Sequence, residues 1–349
     1  MIDLTILIVS YETRELLSNC LGSIARACRD HPELQVETIV IDNGSRDGSL
    51  DVALASPVAP RIVALVRNRG FAAAVNYGLH LRRGRHVLLL NSDTEIEPDV
   101  LFRGVELLDE SADVGVLGIA LVHPDGRAQR SVHAFPGLQT ELVPEPILRM
   151  MRPRGFSSSA RVRARATRLG EDASLCEVEA VRGAVFFIRG DLLEKVGLLD
   201  EGYFFFLEET DYCWRVRAAG YRVLYCDTLR ALHLLGASSK RRAPLATRIE
   251  FHRSLYRFLE QRRGNRVAAI AFAARLVRNA LSGIGSLPLA VGSDRAQSRL
   301  VERWGLLLWH LRGRPLQPDL GRTLRLETEF DRRAAGERAE SEMAEKEGA

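Results

Sequence analysis

Val87-Leu88-Leu89-Leu90-Asn91-Ser92-Asp93 decides how this 349-residue chain is read. Four successive apolar residues read as a buried strand, and the strand ends on a short acidic turn. Open α/β sheets bind ligands beyond the carboxyl ends of their strands, where a carboxylate can hold a hard divalent cation against a diphosphate. A lone step from apolar residues to Asp is more often a solvated turn, so the case rests on the surrounding segments.

Outward from that strand, two kinds of segment alternate. Residues 4–10, 37–42, 62–66 and 86–90 are predicted strands; residues 14–28, 49–55, 71–81 and 99–110 are predicted helices. Strands separated by helices of this length predict βαβ units and an α/β fold with a mostly parallel central sheet. A dinucleotide-binding dehydrogenase needs Gly-x-Gly-x-x-Gly directly after the first strand, but Ser10-Tyr11-Glu12-Thr13-Arg14 stands there. The Gly-x-x-x-x-Gly-Lys-Ser/Thr loop of nucleotide triphosphatases is also absent. A diphosphate ligand is therefore expected to be held by metal and side chains.

With 46% hydrophobic and 27% charged residues, the chain fits a soluble globular protein of one large or two smaller domains. Cys20, Cys28, Cys176, Cys213 and Cys226 are scattered and form no Cys-x-x-Cys pair. A disulfide framework or structural zinc site is not expected, and a reducing compartment fits. The N-terminus reads as a first strand, not a signal peptide. Net charge is only +4, yet residues 240–314 carry sixteen Lys/Arg against four acids. Such a field suits an anionic partner, whether nucleic acid, acidic lipid headgroups or a lipid-linked diphosphate, and charge alone fits an arginine-rich helical surface equally well.

Residues 127–177 read as irregular, with an arginine-rich mobile loop expected at 150–170, and the tail from 331 reads as solvated and disordered. Phe251, Leu255, Phe258 and Leu259 share one face of a helix bearing Arg248, Arg253, Arg257 and Arg262. That helix is either interfacial or docked on the catalytic domain. Residues 267–292 are apolar enough to consider as a membrane span. Arg275 and Arg278 near their middle, at about 2.5–3.5 kcal/mol each, argue against one.

Four polar clusters end apolar segments: Asp42, Asp93, Glu208-Glu209-Thr210-Asp211, and His233. A carboxylate at Asp42 can accept the imide N–H of uracil or thymine, or simply cap the turn Asn43-Gly44. Asp93 with His233 can supply two ligands to magnesium or manganese, although a lone His is more often packed than ligating. Transfer to a hydroxyl needs a general base, for which Glu208, Glu209 and Asp211 are the candidates. Asp211 and Arg215 are four apart, so their plain reading is a helical salt bridge.

In order, Ile8-Val9-Ser10-Tyr11, Ile41-Asp42-Asn43-Gly44-Ser45, Asn68-Arg69-Gly70-Phe71-Ala72-Ala73-Ala74-Val75-Asn76, Leu89-Leu90-Asn91-Ser92-Asp93, Gly183 through Arg189, Val196 through Glu201, Glu208 through Arg215, and His233 through Ser238 resemble the family 2 glycosyltransferases. Over about the first two-thirds of its length the chain is most similar to the rhamnosyltransferase-like members. The resemblance implies a GT-A fold over 1–238, with 127–177 as an acceptor-side insertion; beyond it, charge and composition predict a basic helical extension over 239–315 and a disordered tail over 316–349. It also implies an inverting transferase using a dTDP- or UDP-sugar, rhamnose foremost, and a divalent cation, Mg2+ or Mn2+. The implied acceptor is a glycan or polyprenyl-diphosphate-linked saccharide of bacterial cell-wall or polysaccharide assembly. A cytoplasmic place is implied, peripheral on the inner face of the plasma membrane through 240–314, with no nucleic acid as partner.

By that resemblance, Asp42 binds the pyrimidine, and Ser10, Tyr11, Glu12, Asn68, Gly70, Asn76, Asn91 and Asp93 shape the nucleotide-sugar pocket. Asp93 and His233 hold the metal. Glu209 is the expected base, with Asp211 the alternative and Glu208 beside it. Two positions depart from the pattern: Asn91 where many members have the first acid of an Asp-x-Asp motif, and Glu209 where the catalytic residue is usually Asp. The competing reading is a non-catalytic sugar-nucleotide- or glycan-binding subunit with a degenerate site.

Overall fold

The computed structural model describes residues 1–143, 145–151, 174–234, 244–285 and 294–313. Most of the predicted mobile loop at 150–170, motif residues 235–238 and the predicted tail at 316–349 lie outside the described residues. β1 (Leu4–Ser10), α1 (Arg14–Asp30), β2 (Val36–Asp42), α2 (Ser49–Leu54), β3 (Arg61–Ala64), α3 (Phe71–Leu81) and β4 (His86–Asn91) follow the alternation read from the sequence, each boundary within two residues. Then come β5 (Thr94–Ile96), α4 (Val100–Glu110), β6 (Val114–Val122), β7 (Val132–His133), α5 (Leu138–Leu142), α6 (Glu145–Met151), β8 (Leu175–Glu177), β9 (Ala180–Val181) and β10 (Val185–Arg189). The described chain continues with α7 (Leu192–Lys195), α8 (Glu208–Ala218), β11 (Arg222–His233), α9 (Pro244–Arg263), α10 (Asn265–Gly285) and α11 (Asp294–Leu311).

The central sheet runs β3-β2-β1-β4-β10-β6-β11-β5, with β8 also on β11. It is mixed rather than mostly parallel. β3, β2, β1 and β4 are parallel, as βαβ crossovers require, but β10 enters antiparallel between β4 and β6. Alternation along each strand feeds two cores. Val87 and Leu89 face one with α3, α8 and part of α9; Leu88 and Leu90 face the other with α1 and α4. Both faces being covered explains why β4 is apolar at every position from 87 to 90. Each fully buried Leu or Val contributes about 1.5–3 kcal/mol.

The stretch 127–177, expected to be irregular, holds β7, α5, α6 and β8 where it is described, with β7 pairing β9 in a second small sheet. Strands of two and three residues and helices of five and seven are too short to show a period in sequence.

The chain divides into two compact units. One comprises Met1–Ser238 with Ser254–Ala271, the other Ser239–Arg253 with the chain from Phe272 onward. Residues 254–271, read from sequence as part of the extension, therefore cluster with the first unit. Of the alternatives for α9, its second half takes the docked one: Leu255, Phe258 and Leu259 are buried in the first unit's core. Arg257 grips Asp200 at 2.8 Å. Among the described residues no helix is long and apolar enough to cross a membrane.

Candidate functional site

Strand direction gathers the site at one edge of the sheet. Parallel register aligns Ser10 with Asp42, and Val9 with Asn91. β10 runs the other way, so the turn before it reaches the same edge, where Ala184 accepts the Asn91 backbone N–H at 3.0 Å. β11 is parallel to β6 and delivers His233 there, and antiparallel β5 sets Thr94 opposite it.

Asp42 is 4% exposed, and its Oδ2 accepts the Ser45 N–H at 3.0 Å. That bond is the turn cap anticipated from Asn43-Gly44. Its Oδ1 is buried with no partner among the described residues, an oxygen that a ligand's N–H would satisfy. Below it the backbone is cross-tied. Asn43 Nδ2 donates to Asn68 Oδ1 at 3.0 Å and to the Gly70 carbonyl at 3.2 Å, while Asn43 Oδ1 accepts the Arg69 N–H at 2.8 Å. Gly70 sits at φ +86°, and a Cβ there would meet the Phe204 carbonyl at 2.7 Å, so both conformation and space demand glycine. Glu12, a non-glycine at φ 55°, donates its N–H to Ser45 Oγ at 2.9 Å and accepts the Arg46 N–H at 2.8 Å, which ties the β1–α1 turn to the β2–α2 turn. Tyr11 beside it is half-buried.

Two residues expected in the pocket serve the framework. The Asn76 amide donates to the Leu199 carbonyl and Glu201 Oε1, both at 2.9 Å, and accepts the Leu199 N–H at 3.1 Å. It pins α3 to the 199–201 loop. The Ser10 hydroxyl is fully buried against Thr13 Oγ1 at 3.0 Å.

Asp93 and His233 meet: Nε2 of the imidazole lies 3.4 Å from Asp93 Oδ1, and Leu234 N–H donates to the Asp93 carbonyl at 3.0 Å. A third residue, Gln129, was invisible in the sequence because it lies in the stretch read as irregular. Its Nε2 donates to the His233 carbonyl at 2.6 Å and the Val122 carbonyl at 3.1 Å. With both hydrogens so engaged, its Oε1 must accept, at 3.0 Å, from His233 Nδ1. The proton is thereby held on Nδ1, and the Nε2 lone pair faces a carboxylate oxygen, an arrangement that a cation between them would resolve. Two donors each about 2.1 Å from one ion on adjacent octahedral positions lie about 3 Å apart, close to what is seen. No cluster of three or more His, Cys, Asp or Glu suited to a metal gathers among the described residues. The remaining ligands would come from diphosphate oxygens and water.

The carboxylates of α8 separate by environment. Asp211, considered as an alternative base, is fully buried and taken: Arg215 reaches it at 3.0 Å and Arg262 at 2.7 Å. With both oxygens engaged by guanidiniums, this carboxylate ties α8 to α9. Glu208 is 5% exposed. Glu209 keeps partial access, yet its surroundings desolvate it and push its pKa up, against a smaller downward pull from Arg182. Burial likewise lowers the Arg182 pKa, so for both partners desolvation outweighs their mutual attraction. Gly183 abuts the glutamate: a Cβ there would lie 3.4 Å from the Glu209 Cβ. His133, driven down to about 3 by burial and then by the charges of Arg182 and Arg130, is a neutral partner for Thr210 Oγ1 at 2.8 Å. The chain enters α8 through Phe206 at φ 73° and Leu207 at φ 66°, two successive non-glycine left-handed residues. Strain of that kind is kept where geometry matters more than local comfort.

Residues 5–166 match the family model described as Glycosyl transferase family 2. The chain is 28% identical over 227 residues to the succinoglycan biosynthesis protein ExoO of Rhizobium meliloti, covering 57% of this chain and 64% of that protein. It is 26% identical over 271 residues to the N-acetylglucosaminyl-diphospho-decaprenol L-rhamnosyltransferase of Mycobacterium tuberculosis, covering 74% and 84%. The structure is similar to the mannosyltransferase PcManGT of Pyrobaculum calidifontis in complex with GDP-Man and Mn2+, with TM-score 0.54, 18% identity and coverage of 89% and 88%. At that identity the likeness is one of fold, and the fold is GT-A.

Proposed function

We propose that the chain, whose residues 5–166 match the model of family 2 glycosyltransferases, is an inverting, divalent-cation-dependent sugar transferase. Its donor is a dTDP- or UDP-sugar, rhamnose foremost. Its acceptor is a hydroxyl of a glycan or of a polyprenyl-diphosphate-linked saccharide in bacterial cell-wall or polysaccharide assembly. The sugar and the lipid-linked acceptor are suggested by the printed name of the mycobacterial relative. The observation that carries the reading is the His233 Nε2 lone pair, fixed by Gln129, set 3.4 Å from Asp93.

In this proposal Asp42 Oδ1 accepts the imide N–H of the pyrimidine, and the Asn43–Asn68–Gly70 ties hold that wall of the pocket in place. Asp93 and His233 hold Mg2+ or Mn2+, which when bound neutralises negative charge growing on the departing diphosphate. Glu209, its pKa raised by burial, takes the acceptor hydroxyl proton. The acceptor oxygen then bonds to the anomeric carbon on the face opposite the diphosphate, whose bond to that carbon breaks, so one displacement inverts the centre. No covalent enzyme intermediate is needed. A peripheral place on the cytoplasmic face of a membrane belongs to the same proposal, and it rests on the basic segment 240–314.

The test is a thermal-shift screen of nucleotide sugars with and without Mn2+, followed by turnover of the best donor. A pyrimidine sugar nucleotide that stabilises the chain only with metal, and is then consumed, supports the reading. Asn91, in place of a first acid, favours a second reading as a binding subunit. Stabilisation without turnover of any donor would decide for that alternative.

A further inference from the structure

The second compact unit has a built cavity of its own. It measures about 420 Å³ and is lined by Arg248, Asn279, Ser282, Arg303 and Leu306. Three helices converge on it: α9 contributes Arg248, α10 contributes Asn279 and Ser282 three residues apart on one face, and α11 contributes Arg303 and Leu306 in the same relation. Four of these five side chains can donate hydrogen bonds, two carry fixed positive charge, and none carries negative charge. The Asn279 Nδ2 is buried with no hydrogen-bond partner among the described residues. A desolvated, unused amide donor costs roughly 1–3 kcal/mol, a cost that a ligand oxygen removes. Arg303 is held in place by donating to the Ser282 carbonyl at 3.0 Å, and Arg248 by Glu302 at 3.3 Å. Each arginine thus has one contact that orients it and further N–H groups beyond that contact. Glu302 offsets one of the two charges, so the net field in the cavity is positive but modest. The geometry of the donors matters more here than raw attraction.

We propose that this cavity is an anion site for a phosphate-class group, distinct from the Asp93–His233 centre and independent of the assignment made there. Planar guanidinium forks and an amide N–H, converging with a hydroxyl, match the tetrahedral oxygens of a phosphate or diphosphate. A smooth apolar pocket would instead be lined by Leu, Ile and Phe. The phosphate can come from a soluble nucleotide or sugar phosphate, or from the headgroup of a lipid, and the chemistry of the cavity serves both.

The test uses the full chain in EDTA, so that diphosphate binding that needs metal is suppressed. Inorganic pyrophosphate is titrated by calorimetry, and phosphatidylglycerol and phosphatidylcholine vesicles are tested by co-sedimentation. One pyrophosphate per chain is expected. Asn279→Asp, which sets a carboxylate in the cavity at constant size, and Arg248→Gln should each weaken binding at least tenfold. Arg278→Gln, an equal charge change elsewhere on α10, should weaken it less than twofold. Residual binding that depends on Asp93 is told apart by its indifference to Asn279→Asp. Vesicle binding that pyrophosphate competes away, together with loss in Asn279→Asp, identifies a lipid phosphate. Pyrophosphate binding without vesicle binding identifies a soluble one. Equal losses in Arg248→Gln and Arg278→Gln would show a diffuse basic field and overturn the proposal, as would no binding of either probe.

Discussion

The parallel half of the sheet and the mixed half treat their polar residues in opposite ways. On the β3-β2-β1-β4 side the side chains of Asn43, Asn68, Asn76, Ser10 and Glu12 have protein partners, and Asp42 Oδ1 is the exception. On the β10-β6-β11 side a lone pair faces a carboxylate at Asp93–His233, and for the half-buried Glu209 and Arg182 desolvation outweighs their mutual attraction. The first half is a finished frame. On the proposed function a ligand completes the second, and loss of an internally satisfied group should cost stability where loss of an unsatisfied one costs chemistry.

The sharpest way to break that division is Asp93→Ala. Turnover of the best donor should fall at least about a thousandfold, about 4 kcal/mol at the transition state, and the stabilisation by Mn2+ should vanish. Thermal unfolding without metal should change little, because among the described residues the carboxylate's contact is with the His233 Nε2 lone pair and not with a donor. Unfolding at a markedly lower temperature without metal would show that Asp93 belongs to the frame. Next comes Glu209→Gln, expected to cost about 10²–10⁴ in kcat. A base works only when deprotonated, and burial raises the Glu209 pKa above its ordinary 4.5. The wild-type rate should therefore fall as pH drops through that raised value, and the acid limb should disappear in Glu209→Gln. An unchanged limb would move the base elsewhere.

Asp211→Asn tests the other side of the comparison. It leaves Arg215 and Arg262 without their shared carboxylate, and breaking a buried pair in this way costs about 3–5 kcal/mol. Because both guanidiniums keep some solvent access, the lower end is expected, read from the urea midpoint at unchanged slope. Donor affinity per folded molecule should hold.

These outcomes also mark where the sequence was legible. The β1 to β4 alternation and both ends of α3 could be read because the partners are close in sequence and the strands are apolar for many residues. The Asp211–Arg215 pair followed from helical spacing, but Arg262 arrives from 51 residues away, and nothing local announces it. The Asp42 turn cap could be read from Asn43-Gly44, and that cap uses one oxygen and leaves the other for the ligand role proposed above. Asn76 looked like a pocket residue because its motif lies beside Gly70, whereas its partners at 199 and 201 appear only once the chain has folded back. Asp93 and His233 could be offered as a ligand pair from residue type, and resemblance strengthens that pairing; the register of β5 against β11 supplies the physical reason they meet.

Gln129 was not legible at all, and it gives the smallest and most discriminating prediction. It is 104 residues from His233 and combines two jobs, bracing two backbone carbonyls and fixing the Nδ1 proton. Gln129→Leu ends both and should weaken Mn2+ binding about 10–100-fold, as loss of a ligand's outer partner usually does. Gln129→Glu separates them. The carboxylate still accepts from Nδ1, and more strongly, while the donors to the Val122 and His233 carbonyls are gone. If the tautomer is what matters, Gln129→Glu should bind Mn2+ at least as well as the wild type by spin-resonance titration, even though it unfolds at lower temperature. Equal loss of metal affinity in the two variants would make Gln129 a brace and nothing more, and would move it from the unfinished half of the site to the frame.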